Sequence, residues 1–383
     1  ALWGVVAMSL ATAGGAGSAG GGVRLAVLPF ANRGAADDGY FVDGVADQIR
    51  GTLSNIEGFQ VIARSSSDQY RETTKTPAEI GRELNVEYLL SATVSWIRSG
   101  ETGGRVQVVP ELIDARTGAV KWQQPFDADL TDVFQVQADV ARRVATALNI
   151  QLGAGGQQEL TRRPTENLAA WDSYLKAKAA GGSGSGAGLV AERELLERAV
   201  ALDSGFALAL ADLSRSYSTQ YFTTPTPAMA DGARRAAERS EALAPESPET
   251  FLALGSYHLN VLMDAEGAMT YLAEGLRRSP NHVGILNAEA NASRSAGRWE
   301  EAVSLGRRVV SLDPKSRSTG LAIALILMRR YPEALEEVDR VLVQHPTLIP
   351  MWQSKAVIYL AQGDLDRARE VLAEATRVTE PIT

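Results

Sequence analysis

The chain of 383 residues contains no cysteine. Disulfides, cysteine zinc fingers, iron–sulfur clusters and thiol nucleophiles are therefore excluded together. Histidine is nearly as scarce: the three residues, His258, His282 and His345, include no pair at helical ligand spacing. None has a serine or carboxylate companion at a recognisable motif spacing. Neither a metal site nor a hydrolytic triad is expected, so the chain reads as a non-enzyme. A glycine-rich tract at 14–22 lacks the GK[ST] ending of a phosphate loop and precedes the first strand instead of following it, and no cofactor is expected. Basic excess is absent too. Residues 23–150 carry 13 Lys and Arg against 17 Asp and Glu, and residues 151–383 carry 25 against 29. This is not the balance of a nucleic-acid binder.

A long apolar run is also missing. ALWGVVAMSLATA, residues 1–13, falls short of the about 20 residues that span a bilayer. It has the length of a signal-peptide core, and Ala11-Thr12-Ala13 fits a processing site. Residues 1–22 are read as an export or membrane-anchor remnant or as an assembly arm. Membrane contact is expected only through this segment, and the domains behind it are expected outside the cytoplasm.

From Val23 onward the texture is globular. VRLAVLPF has the length and apolar content of a buried strand. YFVDGVADQIRGTLSNI places Phe41, Val45, Ile49 and Leu53 on one helical stripe. Asp37 and Asp38 ahead of it are read as helix caps. FQVIA predicts a second strand, and Pro77 opens a short helix, PAEIGRELN. Three strands are predicted over VEYLLSATVSWI, RVQVVPELIDA and AVKWQQPFDA, with turns at Gly103-Gly104 and Thr117-Gly118. Pro110 cannot donate to a ladder and implies an edge or bulge. A last helix buries Val133, Val136, Val140, Val144 and Leu148. The predicted order is β-α-β-α-β-β-β-α, an α/β domain over residues 23–150.

Residues 151–166 read as a glycine-rich polar linker. Beyond them, residues 167–383 are helical and repetitive. DAEGAMTYLAEGLRRSP, RWEEAVSLGRRVVSLDP and RYPEALEEVDRVLVQHP share a template, with 34 residues from Pro280 to Pro314 and 32 from Pro314 to Pro346. A period near 34 in paired helices marks the tetratricopeptide repeat. In the last unit Trp352, Ala356, Tyr359, Gly363, Ala368, Leu372 and Ala375 occupy the packing positions. About six helix pairs are expected, the first interrupted by a flexible GGSGSGAG insert and the fifth short in its first helix.

The stretches RLAVLPFANRG, GYFVDGVADQIRGTLSNIEGFQVIARSSSDQY, EIGRELNVEYLLSATV and VQVVPELIDARTGAVKWQQPFDADLTDVFQVQADVARRVATAL resemble the TolB-like amino-terminal module. NLAAWDSYLKAKAA and LLERAVALDSGFALALADLSRSY resemble the tetratricopeptide (TPR) region commonly fused behind it. The resemblance implies the extracytoplasmic half of a bacterial membrane-linked regulator, whose kinase, cyclase or winged-helix domain lies across one membrane span. It brings no catalytic residues.

What remains is binding. The first helix of each pair lines a groove suited to a peptide or partner helix. On NHVGILNAEANASRSAG, Asn287, Asn291 and Arg294 share one face beside the packing positions Leu286, Ala290 and Ser293. Asparagine amides hold a peptide backbone and arginine grips a carboxylate. Gln353 and His258 are neighbouring candidates. The expected function is sensing or scaffolding through a protein or peptide partner. Its rival is self-association into filaments through stacked repeats and an inserted amino-terminal segment.

Overall fold

A computed structural model describes residues 22–99, 103–129, 132–161, 163–182 and 186–379. The readings placed on residues 1–21, and the central part of the glycine insert at 183–185, lie outside the described residues.

The first domain is a mixed sheet. Strand β1 (Val23–Val27) pairs in parallel with β3 (Phe59–Val61) and β4 (Tyr88–Ser99), and a two-residue β2 (Ala31–Asn32) extends the pairing along β4. β5 (Gly103–Asp114) runs antiparallel to β4, and its other edge carries both β6 (Val120–Gln123) and β7 (Phe126–Asp129). The single strand expected over AVKWQQPFDA is thus two. That division explains Pro110. It stands opposite Ala92 on β4, while on its other side the partner changes from β7, which pairs Arg105–Val108, to β6, which pairs Glu111–Ile113. The missing N–H falls in the gap between two partners, where no ladder bond is lost.

Alternation along the strands feeds two layers. Leu25, Val27, Leu90, Val94, Val106 and Val108 face α1 (Gly39–Ser54) and α4 (Val133–Ala147), whose predicted stripes are buried there. Ala26, Ile62 and Leu89 face α3 (Pro77–Leu84) on the other side. Thr76 and Glu79 form a reciprocal capping box before Pro77, and Asn85 closes the helix in the left-handed conformation at φ 52°. Asp38 occupies the cap position of α1 after a 3-10 turn, but its side chain makes no capping bond. Arg64–Ser67 form one further turn, α2. Within the stretch read as a linker, Ala154–Thr161 form α5, and Leu160 is buried in the core.

Among the described residues, twelve helices follow as six consecutive pairs. They are α6 (Leu168–Gly181) with α7 (Gly186–Leu202), α8 (Ala207–Thr223) with α9 (Pro227–Leu243), and α10 (Pro248–Asn260) with α11 (Ala265–Arg278). Next come α12 (Val283–Ser295) with α13 (Trp299–Leu312), α14 (Gly320–Leu327) with α15 (Tyr331–Gln344), and α16 (Ile349–Ala361) with α17 (Leu365–Thr379). The period has a backbone signature. Met263, Gly297, Arg329 and Gly363, spaced 34, 32 and 34 residues, all adopt positive φ, of 56°, 76°, 58° and 80°. Each ends the first helix of a pair and turns the chain into the second.

Sheet domain and repeats share one core. Trp171 on α6 meets Phe134 on α4 edge-on at 4.9 Å and stacks on Tyr174 at 5.4 Å, with Phe206 behind. Gly44 lets α1 approach α6 closely, since a Cβ there would stand 2.5 Å from a Leu175 methyl. Farther along, the contact turns polar. The main chain of Ala63 donates to the Leu312 carbonyl at 2.9 Å, and Asn281 donates to the Phe59 carbonyl at 3.1 Å. Lys315 reaches Glu83 at 3.0 Å and lies over the Tyr70 ring.

Candidate binding cleft

The apolar join at α6 and the polar join at the turns after α11 and α13 leave a cleft of about 530 Å³ between them. One wall is α1, where Asp47, Gln48 and Gly51 face the opening; the other is built from the first helices of successive pairs. Helical spacing explains the second wall. Tyr174 and Lys178 are four residues apart on α6, and Asp212 and Arg215 are three apart on α8, so each pair shares a face. The start of α12 closes one end: His282 caps that helix, its Nδ1 accepting from the Ile285 main chain at 3.2 Å. Asp313 stands at the turn after α13.

Charge is balanced within the cleft. Asp212 is buried, and its carboxylate accepts from the Tyr174 hydroxyl at 3.0 Å, Lys178 at 2.9 Å and Arg215 at 2.7 Å. Burial alone would push this carboxyl up, but the two cations and the hydroxyl outweigh it and hold it at about 2. Burial first, and then Asp212, push the Tyr174 hydroxyl well up, so it stays a donor. Opposite, Asp47 accepts from both Arg50 and Arg64, and Arg64 also holds Asp68 at 2.8 Å. Burial would lower the Arg64 guanidinium, yet Asp47, Asp68 and Asp43 raise it above its usual value. Burial lowers the His282 imidazole, which favours its neutral form. With Glu249 and Asp313, the lining holds four carboxylates against four Lys and Arg.

The residues expected to form a groove lie elsewhere, and they do not form one cluster. Asn287 and Asn291 are half-buried on the side of α12 that meets α14. The Asn287 side-chain oxygen accepts from Ser318 at 3.0 Å, and that of Asn291 lies 3.3 Å from where a Cβ on Gly320 would be. Arg294, also half-buried, has a buried Nε with no hydrogen-bond partner. His258 bonds Asp264 at 3.0 Å within its own pair and leans on the Tyr271 ring. Gln353 is exposed on α16. Sequence reasoning passed over Lys178, Asp212 and Arg215, which look like ordinary solvated helix charges. The one available signal was an aspartate near the end of the otherwise apolar run FALALADL.

Among the described residues, no group of three or more His, Asp or Glu is placed to hold a metal ion. No described helix is long and apolar enough to cross a membrane.

No family model matches the chain. A protein of Rhizobium meliloti (strain 1021) named "Putative adenylate cyclase 3" is 34% identical over 191 residues, which is 50% of this chain. The match takes in 32% of that protein's length. Among solved structures, a thermophilic TPR protein of Thermus thermophilus aligns at 17% identity and a TM-score of 0.42, over 54% of this chain and 100% of its own. A tetratricopeptide repeat protein of Parabacteroides merdae ATCC 43184 aligns at 16% and 0.40, covering 56% and 81%. MamA from Desulfovibrio magneticus RS-1 aligns at 18% and 0.38, covering 44% and 94%. At these scores nothing about activity passes from them to this chain.

Proposed function

We propose that this chain is a non-enzymatic interaction module, the sensing or scaffolding part of a membrane-tethered bacterial regulator, and that the cleft between its two domains takes an extended segment of a partner protein. The observation that carries the reading is the composition of the cleft. Its volume falls within the about 300–1,000 Å³ of ligand pockets. Asp47 is paired with Arg50 and Arg64, Asp212 with Lys178 and Arg215, and Asp313 accepts from Ser65 and Ser66, while amides such as Gln48 and Asn281 also line the cleft. A phosphate-rich ligand requires surplus positive charge, whereas a peptide backbone requires matched donors and acceptors. The wall of first helices supplies the long, regular surface on which extended segments lie.

The regulator setting rests on the resemblance of residues 23–150 to the TolB-like module, which also motivates a location outside the cytoplasm. The name of the Rhizobium protein is compatible with it. A cyclase carrying a region like this one would join an effector to a sensing segment, and this chain would correspond to the latter.

The test uses a phage-displayed library of unstructured twelve-residue peptides selected on the full chain. Gly51 faces the cleft, and a Cβ added there meets nothing within 4 Å. Gly51→Trp therefore starts a bulky side chain from open space at the cleft, and unchanged circular dichroism checks that the fold is kept. Binding of selected peptides is expected to fall at least tenfold in Gly51→Trp and to persist in Asn287→Ala/Asn291→Ala. The reverse pattern would move the site to the seam between α12 and α14.

A further inference from the structure

The two ends of the repeat array differ. The first pair is covered by the sheet domain, through Gly44 against Leu175 and Phe134 against Trp171. The last pair is not covered by any described residue. Repeat register shows what its open side presents. With the left-handed residues as markers, Asn287, Asn291 and Arg294 of α12 correspond to Gln353, Val357 and Leu360 of α16. On α12 the first two of these positions face the next first helix, α14. Likewise Gly306 of α13 packs on Leu321 of α14 and corresponds to Val338 of α15, which is fully buried, and to Leu372 of α17. Val357, Leu360, Leu365 and Leu372 are nevertheless 49%, 51%, 54% and 48% exposed. The seam is built for one more first helix: Gln353 keeps the amide of Asn287, while Val357 replaces the amide of Asn291 with an aliphatic side chain.

A segment with the matching pattern exists in the chain. First helices share packing residues at steps of four and seven and a left-handed residue at eleven. Leu286, Ala290, Ser293 and Gly297 show this on α12, and Trp352, Ala356, Tyr359 and Gly363 on α16. Trp3, Ala7, Leu10 and Gly14 repeat it, in a stretch with no charged residue. In this sequence register Val6 aligns with Leu321, the residue that packs on Gly306. Residues 15–22, which follow, are all Gly, Ala or Ser.

We propose that residues 1–14 of one copy dock as a first helix on the α16–α17 seam of a second copy. The contact is heterologous, so it propagates head to tail. It uses neither wall of the cleft, so cleft binding and assembly succeed or fail separately; it competes with membrane tethering through residues 1–22, because a segment docked on a neighbouring copy is not in a bilayer.

The absence of cysteine makes the test clean. Val6→Cys and Leu372→Cys are placed in separate full-length chains, mixed and mildly oxidised. The register puts the two Cβ atoms within reach of a disulfide, which spans about 3.5–4.5 Å. A mixed disulfide of twice the chain mass is expected, at least tenfold above a Met8→Cys and Leu372→Cys mixture, because Met8 lies on the opposite side of the same helical pattern. Light scattering on the unmodified full chain is expected to show concentration-dependent assembly, returned to monomers by Leu360→Glu/Leu372→Glu with unchanged circular dichroism. Disulfide yield equal to the Met8 control would overturn the proposal, as would a full chain that stays monomeric or one that inserts its first residues into phosphatidylglycerol vesicles without assembling.

Discussion

The Ser66 hydroxyl donates to the Asp313 carboxylate across 247 residues of sequence. Ser65 bonds the other carboxylate oxygen at 2.6 Å, and the Lys315 main chain donates back to the Ser66 hydroxyl at 2.8 Å. Ser65 and Ser66 are the sheet domain's grip on the turn between α13 and α14. Its grip is polar, whereas the join at α6 is apolar and continuous with the core. The sheet domain and the first two pairs share one buried core, and the later pairs reach the sheet domain through directional bonds.

Asp313→Ala removes the acceptor of two hydroxyl bonds and leaves buried Ser66 with an unmet donor. A cost of about 1–3 kcal/mol is expected. Hydrogen exchange should rise in residues 311–316 and in 63–68 together, while α6 and α7 stay protected. Uniform exchange across all pairs would show that the polar join does not act separately.

Asp212 gives the cleft a pH dependence. Its carboxyl is held at about 2 against an ordinary value of 3.8, so the folded state binds the proton less readily than the unfolded chain. The stabilisation is complete above pH 4 and is lost as pH falls from about 4 to 2. It amounts to about 2 kcal/mol. Asp212→Asn should flatten that part of the stability-against-pH curve measured by urea denaturation. A slope unchanged by the substitution would remove Asp212 as its source.

Arg329 is exposed and adopts the left-handed conformation where two of its three counterparts are glycine. An L-residue there carries a cost of about 1–2 kcal/mol, offset in part by the greater unfolded-state freedom of glycine. Arg329→Gly is expected to stabilise the chain by about 0.5–1 kcal/mol, visible as a higher Tm. A lower Tm would mean that the arginine side chain contributes more than its backbone costs.

Much of the architecture was legible because it is periodic. The stripe Phe41, Val45, Ile49 and Leu53 declared its buried face, and the proline and glycine spacing declared the paired helices. Residues that break the pattern were harder to read. Met263 and Arg329 occupy turn positions that the sequence marks only when glycine fills them, and Pro110 looked like a strand edge because the division between β6 and β7 leaves no apolar signature. For the site, the helical wheel placed Asn287, Asn291 and Arg294 on one face of α12 but could not say that α14 packs against it. The cleft sets Asp47 of the sheet domain opposite Lys178, Asp212 and Arg215 of the repeats. Residues brought to one cleft from such sequence separations leave no local pattern.

The most direct test of the cleft as the binding site is hydrogen–deuterium exchange of the full chain with and without a selected peptide. Protection is expected in α1 from Gly44 to Ser54 and at the start of α12 from Asn281 to Gly284, with α16 unchanged. Protection confined to α14 and α16, with none on α1, would contradict it.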